Sequence, residues 1–126
     1  MPVDTTSQRM ARAAYAQINA KKPSKEYTSF AREFPTMVHS CGLAQAVAFA
    51  RAKKKHQLDY ANDLAVVLTA AGVLTAAGHR STGTAEELAN RIRADDFSVT
   101  SYLRLSRNAL AAAVWLKRYV EAVAED

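Results

Sequence analysis

"FPTMVHSCGLAQAVAFARAKKKH", residues 34–56, decides the fold more than any other stretch of this sequence. At helical spacing its apolar side chains fall on three sides: Met37, Cys41, Ala44 and Ala48, then Val38 and Phe49, then Leu43, Val47 and Ala50. A helix that is apolar all round is buried all round, so we expect a central helix, or one covered in part by a partner protein. Pro35 is expected to end or kink the helix before it. Gly42 costs about 1 kcal/mol inside a helix, which indicates a close approach there by another backbone or a ligand.

The rest of the chain also predicts helices. It has 126 residues, 49% of them hydrophobic, with 4 glycines and 3 prolines, a balance that favours an all-α fold. We predict a compact single-domain bundle, residues 1–126, of about five to six helices. Besides the stretch above, the helices are expected at 6–20, from Ser24 to Pro35, at 59–77, from Thr84 onward and from Val99 to the end.

Local patterns support these helices. Ser24 follows a breaking proline and is placed as an N-cap, and Thr84 with Glu87 has the spacing of a capping box. The loops are predicted at "GHRSTG" (78–83) and "ADDFSVTS" (94–101). The expected buried stripes are Tyr27, Phe30, Ala31 and Phe34; Tyr60, Leu64, Val67, Leu68, Ala71 and Leu74; Leu88 and Ile92; and Tyr102, Leu105, Ala109, Ala113, Leu116, Val120 and Val123.

Catalytic and metal-binding constellations are missing from the sequence. Cys41 is the one cysteine, so neither a disulfide within the chain nor a thiolate zinc site is expected. His39 and Cys41 lie two apart on a helix and cannot form a nucleophile–base pair. We therefore expect no enzymatic activity, no cofactor and no metal. The apolar run at 64–78 falls short of the roughly 20 residues of a membrane span, and the first ten residues do not read as a signal peptide, so a cytoplasmic protein without a membrane partner is expected.

Charge is the remaining chemistry. The formal net charge is +5, which suits a nucleic acid or an acidic protein surface as partner. Arg51, Lys54 and Lys55 are predicted to share one side of the third helix's end, where they could contact phosphates. A further lysine cluster lies in the first loop, at residues 21–25.

The last helix has a second cationic feature. Its helical wheel places Arg104, Arg107, Trp115 and Arg118 in one sector. This is either a contact surface, since tryptophan and arginine are enriched where interfaces carry energy, or a solvated arginine row beside a tryptophan packed under a loop.

Two motifs resemble a known family. "FPTMVHSCGLAQAVAFARAK" (34–53) and "YLRLSRNALAAAVWLKRYVEA" (102–122) are together similar to the small helical subunit, the fifth in naming order, of the Cmr complex, the RNA-guided effector of type III-B CRISPR systems. The matching positions are Gly42, Leu43, Ala44, Gln45, Ala46, Ala48 and Phe49 in the first motif and Trp115, Leu116, Lys117 and Arg118 in the second. The stretch between about Lys55 and Phe97 has no distinctive match.

The resemblance implies a non-catalytic structural subunit in antiviral defence. Its partners would be the backbone and large polymerase-like subunits, further copies of itself, guide RNA and target RNA. We hypothesise RNA contacts at Arg51, Lys54, Lys55, Arg104, Arg107, Lys117 and Arg118. We hypothesise subunit contacts at Gly42, Leu43, Gln45, Phe49 and Trp115.

Two other classes of function stay open from the residues alone. One is a free-standing basic helical DNA-binding module, whose recognition helix would have to be "TAEELANRIRADD" (84–96). The acidic start of that helix argues against it, because a recognition helix needs polar or basic groups at its N-terminal end. The other is a protein-interaction bundle whose basic faces meet acidic partners.

Overall fold

The chain folds as a bundle of helices, as the sequence predicts. The computed structural model describes residues 5–20, 22–52, 54–73, 84–94 and 98–124, and no strand occurs in these ranges. The helices are α1 Thr6–Ala20, α2 Lys25–Cys41, α3 Leu43–Ala52, α4 Lys55–Ala70, α5 Ala85–Arg93 and α6 Val99–Ala124.

Several predicted boundaries are confirmed. α1 has the predicted bounds, and the Ser24 hydroxyl caps α2 by accepting from the Tyr27 amide at 3.1 Å. Thr84 likewise accepts from the Glu87 amide at 3.2 Å and starts α5. The α4 helix begins at Lys55 instead of residue 59 and ends at Ala70. The prediction that this helix continues to residue 77 was wrong, because Ala71 and Gly72 form a turn in which Gly72 has a φ of 77°. The predicted 78–83 loop and Leu74 lie outside the described residues, as does part of the 94–101 loop.

The prediction of a single helix over residues 34–56 was wrong. Pro35 neither ends nor begins a helix, because α2 runs through it to Cys41 with Pro35 buried. The chain breaks at Gly42, whose φ of 85° and ψ of 160° lie outside any helical region. This conformation is essentially restricted to glycine. Gly42 therefore separates α2 from α3 and does not lie within a helix.

The break also changes which residues are buried. In α3 the buried side chains are Leu43, Ala46, Val47 and Ala50. Cys41, Ala44 and Ala48, predicted to be buried, are exposed. Apolar side chains on one side of this stretch are therefore not buried. It is two helices, each with one buried face.

The central helix is α4, which packs against each of the other five described helices. α6 packs on α1, α2 and α4, whereas α3 packs on α2, α4 and α5. The predicted stripe of α4 is confirmed where it is described: Tyr60, Leu64, Val67, Leu68 and Ala71 are all buried. These four large side chains and one alanine place α4 inside the core.

One charged side chain lies inside this core. Asp63 of α4 is 4% exposed and is the buried polar residue of the described ranges. Its carboxylate accepts from Gln17 Nε2 of α1 at 2.7 Å and from the hydroxyl of Tyr27 of α2. A buried carboxylate needs such donors, since its desolvation costs several kcal/mol. The three side chains thus join α1, α2 and α4.

Two tyrosines, Tyr27 and Tyr60, lie near this carboxylate, and only one of them is hydrogen-bonded to it among the described contacts. Burial and the nearby Asp63 charge raise the pKa of both Tyr27 and Tyr60, so both rings stay protonated. Tyr27 donates to Asp63, whereas the buried Tyr60 hydroxyl has no hydrogen-bond partner among the described residues. An unpaired buried hydroxyl costs free energy, so the two hydroxyls have opposite effects on stability.

We predict opposite outcomes for the same chemical change at these two rings. Tyr27→Phe removes a donor to the buried carboxylate and should lower the free energy of unfolding by about 1–3 kcal/mol. Tyr60→Phe removes the unpaired hydroxyl and should be neutral or stabilising by up to about 1 kcal/mol. Urea unfolding of each variant, followed by circular dichroism, measures both. An equal loss of stability in the two variants would contradict this assignment.

Candidate nucleic-acid and subunit interfaces

The first candidate surface is the arginine face of α6, formed by Arg104, Arg107 and Arg118. All three arginines are exposed, and they span about 21 Å along a helix that rises 1.5 Å per residue. The other residues that fall on this side between them are Asn108, Ala111 and Trp115. None of these three carries a carboxylate, and Glu121, one turn beyond Arg118, lies 3.9 Å from Arg32 of α2.

Trp115 is half-buried in an aromatic cluster. Its ring stacks on Tyr119 with centroids 6.0 Å apart. The Arg118 guanidinium lies over the Trp115 ring at 5.1 Å from its centroid, within the range of a cation–π contact. Tyr15 of α1 meets Tyr119 edge-on at 5.6 Å. The predicted tryptophan–arginine pairing is thus present at Arg118.

An apolar groove adjoins this cluster at the C-terminal end of α6. This aromatic groove has a volume of about 230 Å³ and is lined by Tyr15, Ile18, Asn19, Tyr119, Ala122 and Val123. Tyr15 is 55% exposed and Val123 42%. Val123, predicted to be buried, therefore lies on the surface, where it lines this groove.

The N-terminal end of α6 carries a second apolar surface. Val99 is 75% and Leu103 57% exposed. Between them Tyr102 turns inward, where its hydroxyl accepts from the Ala44 amide at 3.0 Å. We call Val99 and Leu103 the aliphatic end. It lies about 24 Å along the helix from Tyr119, so α6 has an exposed apolar surface at each end.

The hypothesised subunit contacts fall on separate places. Gln45 and Phe49 are exposed on one side of α3, where Phe49 stacks on Phe30 at 6.3 Å. Gly42 is half-buried at the helix break. Leu43 is fully buried inside the chain, so no partner can reach it in this conformation. Trp115 belongs to the α6 cluster, and no described contact joins it to α3.

The hypothesised RNA contacts are also divided. Arg51 lies in the last turn of α3, whereas Lys54 precedes α4 and Lys55 is its first residue. The prediction that these three residues share one side of a helix was therefore wrong. Arg51 instead lines a small groove of about 90 Å³ that also includes Arg93 of α5. Lys117 is half-buried and lies about 140° around α6 from Arg104, away from the arginine face.

The structure contains one candidate binding site that the sequence did not predict. A basic cleft of about 560 Å³ is lined by Lys22, Pro23, Ser24, Tyr27, Lys55, His56 and Asp59. It brings the loop before α2 against the start of α4, from segments that lie far apart in the sequence. The lysines in each segment were visible in the sequence, but no periodicity links the two segments.

Two other kinds of site are absent from the described ranges. No group of three or more His, Cys, Asp or Glu side chains could hold a metal ion there. In the same part of the chain, no helix is both long and apolar enough to cross a membrane.

These features define a class, the small all-α bundle with separate cationic and apolar surfaces. The chain belongs to the Cas_Cmr5 family of CRISPR-associated proteins, whose model matches residues 6–123. It is 38% identical over 127 residues to the "CRISPR system Cmr subunit Cmr5" of Thermus thermophilus, covering 97% of this chain and 98% of that one. The crystal structure of a CRISPR-associated Cmr5 family protein from the same organism superposes with a TM-score of 0.78 and 34% identity, over 96% and 98% of the two chains. The resemblance drawn from the two sequence motifs is confirmed.

We predict that the break between α2 and α3 depends on glycine for backbone conformation and not for space. A Cβ on Gly42 would lie 3.7 Å from the Tyr102 hydroxyl, an ordinary contact, but φ would stay at +85°. Gly42→Ala should therefore lower the free energy of unfolding by about 1–3 kcal/mol.

Tyr102→Phe provides the control, because it removes the hydroxyl nearest to the added methyl group. The cost of Gly42→Ala should be the same in this background, as for independent effects. Urea unfolding of the two single variants and the double variant measures it. If the cost disappeared in the double variant, crowding and not backbone strain would be the cause.

Proposed function

We propose that this chain is the small, non-catalytic subunit of a type III-B CRISPR effector complex, and that it stacks on copies of itself while helping to hold guide and target RNA. The observation that carries the proposal is the match along nearly the whole chain to a protein named as a Cmr subunit. The match includes every described helix, so the proposal concerns the whole bundle and not one motif within it.

The family resemblance supplies the partners. In such a complex the small subunit forms a minor filament beside the backbone subunits that hold the guide RNA, and it abuts the large polymerase-like subunit. Cleavage of target RNA belongs to the backbone subunit. A small subunit of this kind needs surfaces for protein and RNA but no catalytic residues, and it would work in the cytoplasm.

The two ends of α6 support the stacking role. Apolar side chains as exposed as Leu103 at 57% and Tyr15 at 55% are typical of surfaces that a partner covers. The aromatic groove is concave and the aliphatic end projects two branched side chains. We infer that these ends contact neighbouring copies or other subunits, with the hypothesised α3 surface of Gln45 and Phe49 as a further contact.

The arginine face supports the RNA role. Exposed arginines suit phosphate contacts, which position a nucleic acid but do not read its sequence. A complex whose guide RNA pairs with the target needs no sequence reading by the protein. The arginine face therefore has the chemistry that the proposed role requires.

The DNA-binding alternative receives less support from the fold. The candidate recognition helix α5 has Glu86 and Glu87 in its first turn, where a recognition helix would meet the phosphate backbone. Ala85, Leu88 and Ala89 of the same helix are buried against α3 and α4. These residues anchor α5 to the bundle and leave a short polar strip for contacts.

We predict that reversing charge on the arginine face weakens target RNA binding by the assembled complex. Arg104→Glu with Arg107→Glu spares Arg118, whose contact with Trp115 would confound the result. The affinity should fall about tenfold, and the slope of log affinity against log salt should decrease by about 1.4, or ~0.7 per lost phosphate contact. Fluorescence anisotropy with a labelled target RNA across a salt series measures both quantities.

Arg9→Glu with Arg32→Glu is the matched control, because it makes the same change in net charge at exposed positions of α1 and α2. It should leave the affinity close to that of the unmodified complex. Equal losses in the two double variants would mean that total charge matters and that the arginine face does not contact RNA.

We also predict that the ends of α6 determine how many copies are retained. Tyr15→Ala at the aromatic groove and Leu103→Asp at the aliphatic end should each reduce the number of small subunits per complex, as counted by native mass spectrometry. Leu58→Asp is the control, since Leu58 is 40% exposed but lines neither surface. An unchanged copy number in both end variants would exclude these ends as stacking contacts.

A further inference from the structure

The basic cleft described above combines groups from two separate segments. Lys22 and Ser24 come from the loop before α2, and Lys55 and His56 come from the first turn of α4. Cations that converge on a concavity are better placed to hold one anion than the same cations on a convex surface, because their fields add at a single point. The cleft has this arrangement.

The charged side chains that line the cleft include two lysines, Lys22 and Lys55, and one carboxylate, Asp59. Lys55 Nζ lies 3.1 Å from Asp59 Oδ2, with the lysine side chain 89% exposed. No carboxylate in the described part of the chain pairs with Lys22. Asp59 is the lining carboxylate, and it holds Lys55 in the cleft by an exposed ion pair of small net worth. An arriving anion would compete with Asp59 for Lys55.

A second carboxylate, that of Glu26, lies beside Ser24 of the basic cleft. Its own backbone amide and the Ser24 hydroxyl lower the pKa of its carboxyl group, with a smaller contribution from the charge of His56. The Glu26 carboxylate is therefore satisfied mainly by the start of α2. It lowers the positive potential of the cleft near Ser24 and His56.

The chemistry of the lining distinguishes among ligands. Two aromatic rings line the cleft. Tyr27 is buried at 3% exposure with its hydroxyl on Asp63, and the half-buried His56 imidazole packs edge-on against Phe30, with ring centroids 6.3 Å apart. The remaining apolar lining is Pro23, too little to bury the side chain of a bound peptide. A lining of cations and polar groups with little apolar surface suits a phosphate group.

We propose that the basic cleft binds a backbone phosphate of RNA between Lys22 and Lys55, as a second contact separate from the arginine face. This inference rests on the proposed function, because it takes RNA as the source of the phosphate. The contact would fix the path of the strand and would not depend on base identity.

The test uses the assembled complex and a fluorescein-labelled target RNA, with affinity measured over a salt series. Lys22→Ala with Lys55→Ala should lower the affinity about three- to tenfold and reduce the salt slope by about 0.7 for one phosphate contact. Lys25→Ala is the matched control: Lys25 is an exposed lysine close to Lys22 in the chain that does not line the cleft, and its removal should change the affinity less than about twofold.

Asp59→Asn tests the inference in the opposite direction. It releases Lys55 from its ion pair and removes the carboxylate that competes with the phosphate, so the affinity should rise about two- to threefold. Circular dichroism melting of each variant checks that the fold is retained. An unchanged affinity in the double lysine variant, or a loss equal to that of Lys25→Ala, would overturn the cleft as a phosphate site.

The two proposals can fail separately. If the arginine-face variants weaken RNA binding and the cleft variants do not, the cleft inference is wrong and the proposed function stands. If neither set of variants changes RNA binding, the RNA-holding part of the proposed function fails as well. A loss in the cleft variants that persists when the bases of the target are substituted would support both.

Discussion

The buried carboxylate of Asp63 is the constraint on which the arrangement of helices depends. It lies on α4, which touches each of the other described helices, and its donors come from α1 and α2. Apolar packing alone tolerates small rotations and slides of one helix on another, whereas a carboxylate in a core is tolerable only when its donors are in place. Gln17, Tyr27 and Asp63 therefore fix the register of three helices at once.

One residue, Tyr27, connects this buried carboxylate with a site on the surface. Tyr27 donates to Asp63 and also lines the basic cleft. The same hydrogen bond that sets α2 against α4 thus sets the distance between the Lys22 loop and the first turn of α4. The packing of α2 against α4 brings the two segments of the cleft together. An anion that binds there would still have to displace Asp59 from Lys55.

Much of the fold could be predicted from periodicity and caps, and the errors have physical causes. The stripe Tyr27, Phe30, Phe34 and Val38 continues in phase across Pro35, and this continuity, more than the general rule about proline, indicates that α2 passes through it. After Gly42 the buried positions restart at Leu43, which rotates the buried side by about 130° at ~100° per residue. A helical wheel drawn through Gly42 superimposes the two stripes and makes one helix look apolar all round. Composition cannot reveal a positive φ at one glycine.

The candidate sites also fall into those that the sequence could predict and those that it could not. Positions on one helix, such as Arg104 and Arg107, could be placed together from spacing alone, because a helix fixes their relative directions. Sites built from several segments could not. The pairing of Arg51 with Arg93, and of Lys22 with Lys55, depends on how α3 meets α5 and how the loop before α2 meets α4. Lys117 was placed with the arginines by its neighbourhood in a motif, and helix geometry separates it from them.

The two ends of α6 have a consequence for the proposed stack, because they differ from each other. A contact between the aromatic groove of one copy and the aliphatic end of the next joins unlike surfaces, so it is heterologous and leaves one unused end on every terminal copy. Such a contact propagates instead of closing into a two-fold dimer. The arginine face lies between the two ends, on a helix about 39 Å long, and would remain uncovered in each copy. Successive copies would then present their arginines in a repeating row, which is the arrangement that an extended RNA backbone requires.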